Sequence, residues 1–368
     1  MAGNDESPDG SRSNRLIRNL YRTGGYVYAA KPGDIAREHG FSRIARLASN
    51  ENPWPPSPAA VKAGCEALRE ANRYPDEGME DLSRTLARFH GDFSFVTGVG
   101  MDGVIETIIR TVINPGDRVA ISVPTFSFYR LAALAQNAKV VEIRRGRDFS
   151  IDTRQFIRET RDAKISFLCS PNNPTGTVTP VEDIREILSV ISGILFLDNA
   201  YVEFSDIDYR PLMNEFDNLV IGRTMSKAFA LAGARVGYAF VPGWLTPFYH
   251  RAATPFTLNS ISASVACGAF ADRERMDEYV SYVRQWRERI RQECPLPSPA
   301  SGANFLMFDT RPESGDEMVR LLAGKGVIVR SCASFPGLPD HYIRVSIGDV
   351  WENEIFLTAI RGICRSHR

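Results

Sequence analysis

A chain of 368 residues, 43% hydrophobic and 24% charged, can bury a sizeable core and is long enough for two domains. Its 44 Lys and Arg balance its 44 Asp and Glu, which argues against a general nucleic-acid or anionic-membrane binder while leaving a local anion pocket open. No apolar run approaches the roughly twenty residues of a membrane span, and the six scattered cysteines, without a CxxC pair, suit a reducing cytoplasm.

The five dispersed histidines show no metal-ligand spacing, so no metal is expected. The opening MAGNDESPDGSRSN is polar, has no apolar signal stretch and is expected to be a disordered tail (1–14). Residues 15–48 are expected to form an N-terminal arm or a segment of the smaller domain. From Pro58 onward helical and strand patterns alternate. PAAVKAGCEALREA and MEDLSRTLARFHG have helical spacing, and a strand-like FSFVT follows. The helix GVIETIIRTVI leads through NPGD to the strand RVAISVP, FYRLAALAQNA to KVVEIRR, FIRETRDA to KISFLCS, and VEDIREILSVI to GILFLDNAY. The strands NLVIGRT and RVGYAFV complete the run. Short apolar strands between amphipathic helices predict an α/β fold, a large three-layer domain (49–245) around a mostly parallel sheet.

After Trp244 the pattern changes. One long helix is predicted over about Ile261–Arg291, then the break ECPLPSPASG, strand NFLMFDT, helix EMVRLLAGKG, and strands VIVRS and YIRVSIG. This predicts a smaller α+β domain (246–368).

Ligands of open α/β sheets bind beyond the carboxyl ends of the strands, and five strand ends here carry chemistry: GVGMDG, PTF, SPNNPTG, LDNAY and RTMSK. Gly98, Gly100 and Gly103 satisfy GxGxxG, a dinucleotide fingerprint but also a general way to aim backbone N–H groups at a phosphate. The next strand ends in Pro124, Thr125 and Phe126 rather than a ribose-binding acid, which favours a phosphate over NAD. Phe126 offers a plate for a flat ring, or simply packs in the core. Asp198 ends an apolar strand and needs a partner; a protonated pyridine nitrogen is one. Tyr201 and Asn173 can donate to a ring oxygen, and Ser226 and Arg235 suit phosphate oxygens. Lys227 is hemmed in by small and apolar residues, so it is either a snorkelling side chain or a partly desolvated nucleophile. Together these groups describe a site for pyridoxal 5′-phosphate.

SPNNPTG, LDNAYVEF, RTMSKAFALAGARVGYAF and RVSIG resemble the fold-type I aminotransferases, from about Tyr26 to near the C-terminus. LASNENPWPPSPAAV, NRYPDEG and RTMSKAFALAG resemble, more narrowly, the histidinol-phosphate aminotransferases. The resemblance implies that Lys227 bonds the cofactor, Asp198 pairs its pyridine nitrogen, and Tyr201 and Asn173 bind its 3′-oxygen. Phe126 stacks on the ring, while Gly100, Met101, Asp102, Thr224, Ser226 and Arg235 form the phosphate cup. Tyr74 matches a tyrosine that reaches the neighbouring subunit's cofactor, implying a homodimer with shared sites. Arg344 is matched to a substrate carboxylate and Arg330 to a substrate phosphate, although either is otherwise an ordinary surface charge. Asn50 and Asn52 are placed near the substrate, or are turn residues; Tyr26 or Tyr28 contributes to the substrate phosphate site.

Four positions depart from the family pattern: Met101 and Gly103 in the phosphate turn, Phe126 in place of the usual tyrosine, and Asn199 where Glu often stands. The implied reaction is ping-pong amino transfer between histidinol phosphate and 2-oxoglutarate. Phosphothreonine decarboxylation and aromatic amino transfer use the same scaffold and stay open. A cofactor-sensing regulatory domain is the distant alternative, since such regulators place a helix-turn-helix module ahead of this fold and MAGNDESPDGSRSN is too short and polar to be one.

Overall fold

The computed structural model describes residues 16–22, 25, 27–28 and 30–366; the polar stretch 1–14 and Tyr26 lie outside the described residues. In chain order the strands are β1 (Ala45–Arg46), β2 (Phe95–Val99), β3 (Arg118–Val123), β4 (Lys139–Arg144), β5 (Ala163–Cys169) and β6 (Ile194–Asp198). They continue with β7 (Leu219–Thr224), β8 (Val236–Phe240), β9 (Phe305–Asp309), β10 (Val327–Ile328), β11 (Arg330–Ser331) and β12 (Tyr342–Ser346).

Seven of them form one sheet in the order β2-β8-β7-β6-β5-β3-β4. All pair in parallel except β8, which runs antiparallel to both β2 and β7. Both faces are apolar because alternate residues face opposite sides. Leu195, Leu197, Leu219 and Ile221 enter one core, while Ile194, Phe196 and Val220 enter the other. Helices cover each face, giving the three-layer α/β unit that the alternation predicts.

Local signals start these helices. Ser57 accepts the Ala60 N–H at the head of Pro58–Ala67, with Pro58 at the first helical position, and Asp152 accepts the Gln155 N–H at the head of Thr153–Thr160. Each such cap stabilises its helix by about 1 kcal/mol.

The smaller sheet is antiparallel, ordered β11-β12-β9, and β1 pairs in parallel with β10. Residues 45–46 therefore join the C-terminal part of the chain. The predicted single helix over 261–291 is two helices, Ser260–Ala271 and Arg273–Glu293. Asp272 leaves helical dihedrals (φ −113°, ψ 58°), and its N–H turns back to Ala269 O. The helix Ser260–Ala271 lies against Pro58–Ala67 so closely that a Cβ at Gly268 would meet Ala59 O at 2.5 Å. By packing it joins the larger unit, so the expected boundary at 245 and 246 does not coincide with this contact. The helix Val350–Ser366 follows β12, and Thr246–Ala252 precedes Ser260–Ala271; neither is among the predicted elements. Among the described residues no helix is long and apolar enough to cross a membrane.

Candidate active site

The carboxyl ends of β5, β6 and β7 open onto a cavity of about 430 Å³, closed on the opposite side by residues 48–51, Arg330 and Arg344. At its centre is Lys227, three residues beyond the end of β7. Its Nζ donates to Ser49 O at 3.2 Å and lies 5.8 Å from the Tyr201 ring centre. Burial, then the Arg344 charge, lowers its pKa from 10.5 to about 8, with Glu51 acting in the opposite direction. The side chain is half-buried by area and borders the cavity. This burial agrees with the desolvated side chain of the two sequence alternatives more than with the surface snorkel.

Asp198 ends β6 and is buried. Oδ2 accepts the Tyr129 hydroxyl at 2.6 Å and Oδ1 the Ala200 N–H at 2.9 Å, so both recorded partners are neutral. Burial raises its pKa from 3.8 to about 6 against the pull of those two donors. Among the described residues no cation is hydrogen-bonded to this carboxylate, an arrangement that fits a protonated ring nitrogen.

The helix Gly100–Val112 begins directly after β2; its Gly100 N–H is taken by Arg235 O at 2.8 Å, and Met101 and Asp102 of its first turn line the cavity. Gly100 does not line the cavity; it makes room beneath it. Its φ is +68°, and a Cβ there would come within 2.4 Å of the Arg235 guanidinium. Arg235 in turn pairs with Asp102 at 3.0 Å, while Thr224 Oγ1 and Ser226 Oγ sit 3.0 Å apart. A guanidinium, two hydroxyls and a helix N-terminus are thus gathered at one end of the cavity, a set of the kind that fits a phosphate, with the Asp102 carboxylate beside them. Met101 lines the floor, and Phe126 lines the side, edge-on to Tyr129.

Across the cavity, Arg344 on β12 is buried and donates to two neutral carbonyl oxygens, Asn173 Oδ1 at 2.5 Å and Ala48 O at 2.6 Å. Its Nε has no hydrogen-bond partner among the described residues. Arg330 is its cross-strand neighbour. Like charges directly opposite are destabilising, so this register suits a site that receives anions. Asn50 sits at φ +53°, donates Nδ2 to the Tyr201 hydroxyl at 3.1 Å, and is bonded to Ser346 through both N and Oδ1. Tyr28 also lines the cavity.

One candidate lies away from the cavity. Asn52 does not line the cavity: its Oδ1 accepts the Trp54 N–H at 2.9 Å and its Nδ2 donates to Ala228 O, so it is the turn residue of the two alternatives. Tyr74 is 81% exposed, stacks on Phe256 with ring centres 4.6 Å apart, and does not reach this chain's own cavity. Asn199, a departure from the family pattern, is buried and donates to Ser170 O at 2.7 Å, a structural role. Tyr129 and the carbonyls of Ala48 and Ser49 escape sequence reasoning. FYRLAALA reads as an ordinary helix, and backbone groups leave no signal of residue type. The side chains facing this cavity fit pyridoxal 5′-phosphate: a lysine amine, a carboxylate lacking a cation, an aromatic side and an anion cup.

The family model for aminotransferase class I and II matches residues 42–360. A histidinol-phosphate aminotransferase of Methanoculleus marisnigri is 62% identical over 350 residues, 95% of this chain and 99% of its own. That of Methanosphaerula palustris is 57% identical, covering 94% and 99%. The crystal structure of histidinol-phosphate aminotransferase from Sinorhizobium meliloti in complex with pyridoxal 5′-phosphate aligns with a TM-score of 0.84 at 26% identity, over 96% of this chain and 98% of that one. With the family model spanning most of its length and relatives this similar, the chain belongs to the class I and II aminotransferases.

Proposed function

We propose that the chain moves an amino group between histidinol phosphate and 2-oxoglutarate, with pyridoxal 5′-phosphate as cofactor. The relatives' activity supports the substrate, and one observation carries the chemistry. Lys227, with lowered proton affinity, faces the same cavity as a buried carboxylate lacking a cation and a buried guanidinium lacking an anion.

Lys227, Asp198, Asn173, Tyr201 and Phe126 would hold the pyridine ring, and Thr224, Ser226, Arg235 and the N–H groups of Met101 and Asp102 its phosphate. When bound, the cofactor supplies an electron sink that stabilises charge at the substrate carbon. Lys227 Nζ, neutral in a larger fraction than an ordinary lysine, takes a proton from that carbon and returns it. Asp198 stays ionised against a ring cation. Arg344 receives the carboxylate of glutamate or 2-oxoglutarate, and Arg330 the phosphate of the other substrate. Two cations at the mouth let one cavity accept either anion.

The active form is a homodimer in which exposed Tyr74 of each subunit reaches the other's phosphate cup. The scattered cysteines support the cytoplasm as its compartment.

Visible absorbance of the cofactor-loaded protein, titrated with histidinol phosphate, tests the proposal. Loss of the cofactor's band at low substrate concentration and its return with 2-oxoglutarate are expected. A band untouched by histidinol phosphate but bleached by an aromatic amino acid would overturn the substrate, as would carbon dioxide release from phosphothreonine.

A further inference from the structure

Asp198 is the single acid that the proposed cofactor chemistry requires to stay ionised, yet it is buried at the end of an apolar strand. What holds it there comes from outside the strand ends. Tyr129, one residue into the helix Phe128–Ala135, is fully buried. Its hydroxyl donates to Asp198 Oδ2 at 2.6 Å. Its ring stacks on Phe167 of β5, centres 4.8 Å apart and planes 12° from parallel. Its edge meets Phe126 at 5.6 Å and 83°. One side chain thus touches both the carboxylate and the aromatic side of the cavity.

We propose that Tyr129 is a positioning residue for the reaction: its hydroxyl orients Asp198 and keeps it ionised, and its ring sets the place of Phe126. The proposal rests on the cofactor assignment above. The phenol suits this task because it donates without carrying charge. Burial and the neighbouring Asp198 push its proton affinity well above the ordinary phenol, so it stays neutral at every working pH. A cation in its place would neutralise Asp198 and compete with the ring nitrogen; a neutral donor leaves the negative charge unspent. With Oδ2 taken by Tyr129 and Oδ1 by the Ala200 N–H, the carboxylate has one defined orientation.

Among the described residues, other titratable groups also act on Asp198, Tyr201 among them. Asp102, from the helix Gly100–Val112, raises its proton affinity and Lys227 lowers it. The Cys169 thiol, at the end of β5, has its own proton affinity raised by burial and stays neutral; Arg145 acts on that thiol and donates to Cys169 O.

The test uses Tyr129→Phe, which keeps the ring and removes the donor, alone and combined with Asp198→Asn. In the cofactor-free protein, the Asp198 titration is read as the difference in pH-dependent thermal midpoint between chains with and without the carboxyl. Its midpoint is expected to rise by about one pH unit in Tyr129→Phe. In the loaded protein, equilibrium dialysis of pyridoxal 5′-phosphate should show affinity about tenfold weaker in Tyr129→Phe. That loss should disappear when Asp198 is already Asn. An unmoved titration, or an equal loss of affinity in both backgrounds, would mean that the tyrosine only fills space, and would overturn the proposal. If Tyr129→Phe does not fold, 3-fluorotyrosine incorporated into the otherwise native chain, a more acidic donor, should move the Asp198 midpoint down; no movement overturns the proposal equally. A native chain that fails to take up the cofactor sinks the proposed function instead, and the cofactor-free titration still decides the part played by Tyr129.

Discussion

The two walls of the cavity hold opposite charge imbalances and are built in different ways. The sheet wall presents Asp198, Asn173, Thr224 and Ser226 at or just beyond strand ends, each buried and set by the strand ladder behind it. Its unmatched charge is a carboxylate. The facing wall is residues 48–51 with Arg330 and Arg344, held by side-chain bonds to backbone carbonyls and by the short β11–β12 pairing. Its unmatched charge is a guanidinium. On the proposed function, Asp198 on the sheet wall would meet the resident ring cation and the facing wall would meet exchangeable anions, with Lys227 between them.

Removing the group between the walls should have the largest effect. Lys227→Ala is expected to lower turnover by about 10⁴-fold or more, measured as glutamate-dependent product formation, while the fold persists. Turnover within tenfold of the native chain would remove Lys227 from the chemistry.

Next comes the sheet wall. The Asp198 pKa is raised in the folded state, so the folded protein binds the extra proton between pH 3.8 and about 6. The cofactor-free protein should therefore lose stability as pH rises through that window, and Asp198→Asn should abolish this component in thermal melts. Lys227 has the opposite sense: its folded pKa is lowered, the unfolded chain binds more protons between about 8 and 10.5, and stability should rise across that range. Asp198→Asn should also weaken cofactor binding by roughly 10²-fold; an undiminished affinity would break the assignment of the sheet wall to a cation.

For the facing wall, Arg344→Lys retains charge but loses the planar fork that now reaches Asn173 and Ala48. A drop of about 10- to 100-fold in kcat/KM for glutamate is expected, with cofactor affinity little changed. Equal losses in both would mean that the walls are not separable. The smallest effect sharpens the boundary of the site. Asn52→Ala should lower stability by about 1 kcal/mol, seen as a lower thermal midpoint, and leave KM for both substrates unmoved.

The sheet wall was largely legible in the sequence because a polar residue after a continuous apolar strand has few places to go but the ligand crevice. Asp198 after GILFL and Lys227 after NLVIGRTMS are read this way. The facing wall was less so. Lys227 and Arg344 are held by the carbonyls of Ser49 and Ala48, and every residue type has a carbonyl. Asn50 and Asn52, two residues apart, have equal turn chemistry and diverge only through φ and partner: one is buried against Tyr201, the other caps its own turn. Tyr129 was hidden by a helical pattern that explains it adequately as core. The break at Asp272 was hidden as well, since one Asp lowers helix propensity too little to end a thirty-residue pattern.

The bond from Arg344 to Ala48 O joins residues 296 positions apart, and that from Lys227 to Ser49 O spans 178. During synthesis, the sheet and its lysine can be in place while the chain ahead of β12 is still unmade. Until Arg344 emerges, the carbonyls of residues 48 and 49 have only half their partners. The last strand therefore completes both walls at once, since Arg344 and Ser346 of β12 also hold Asn173 and, through Asn50, Tyr201.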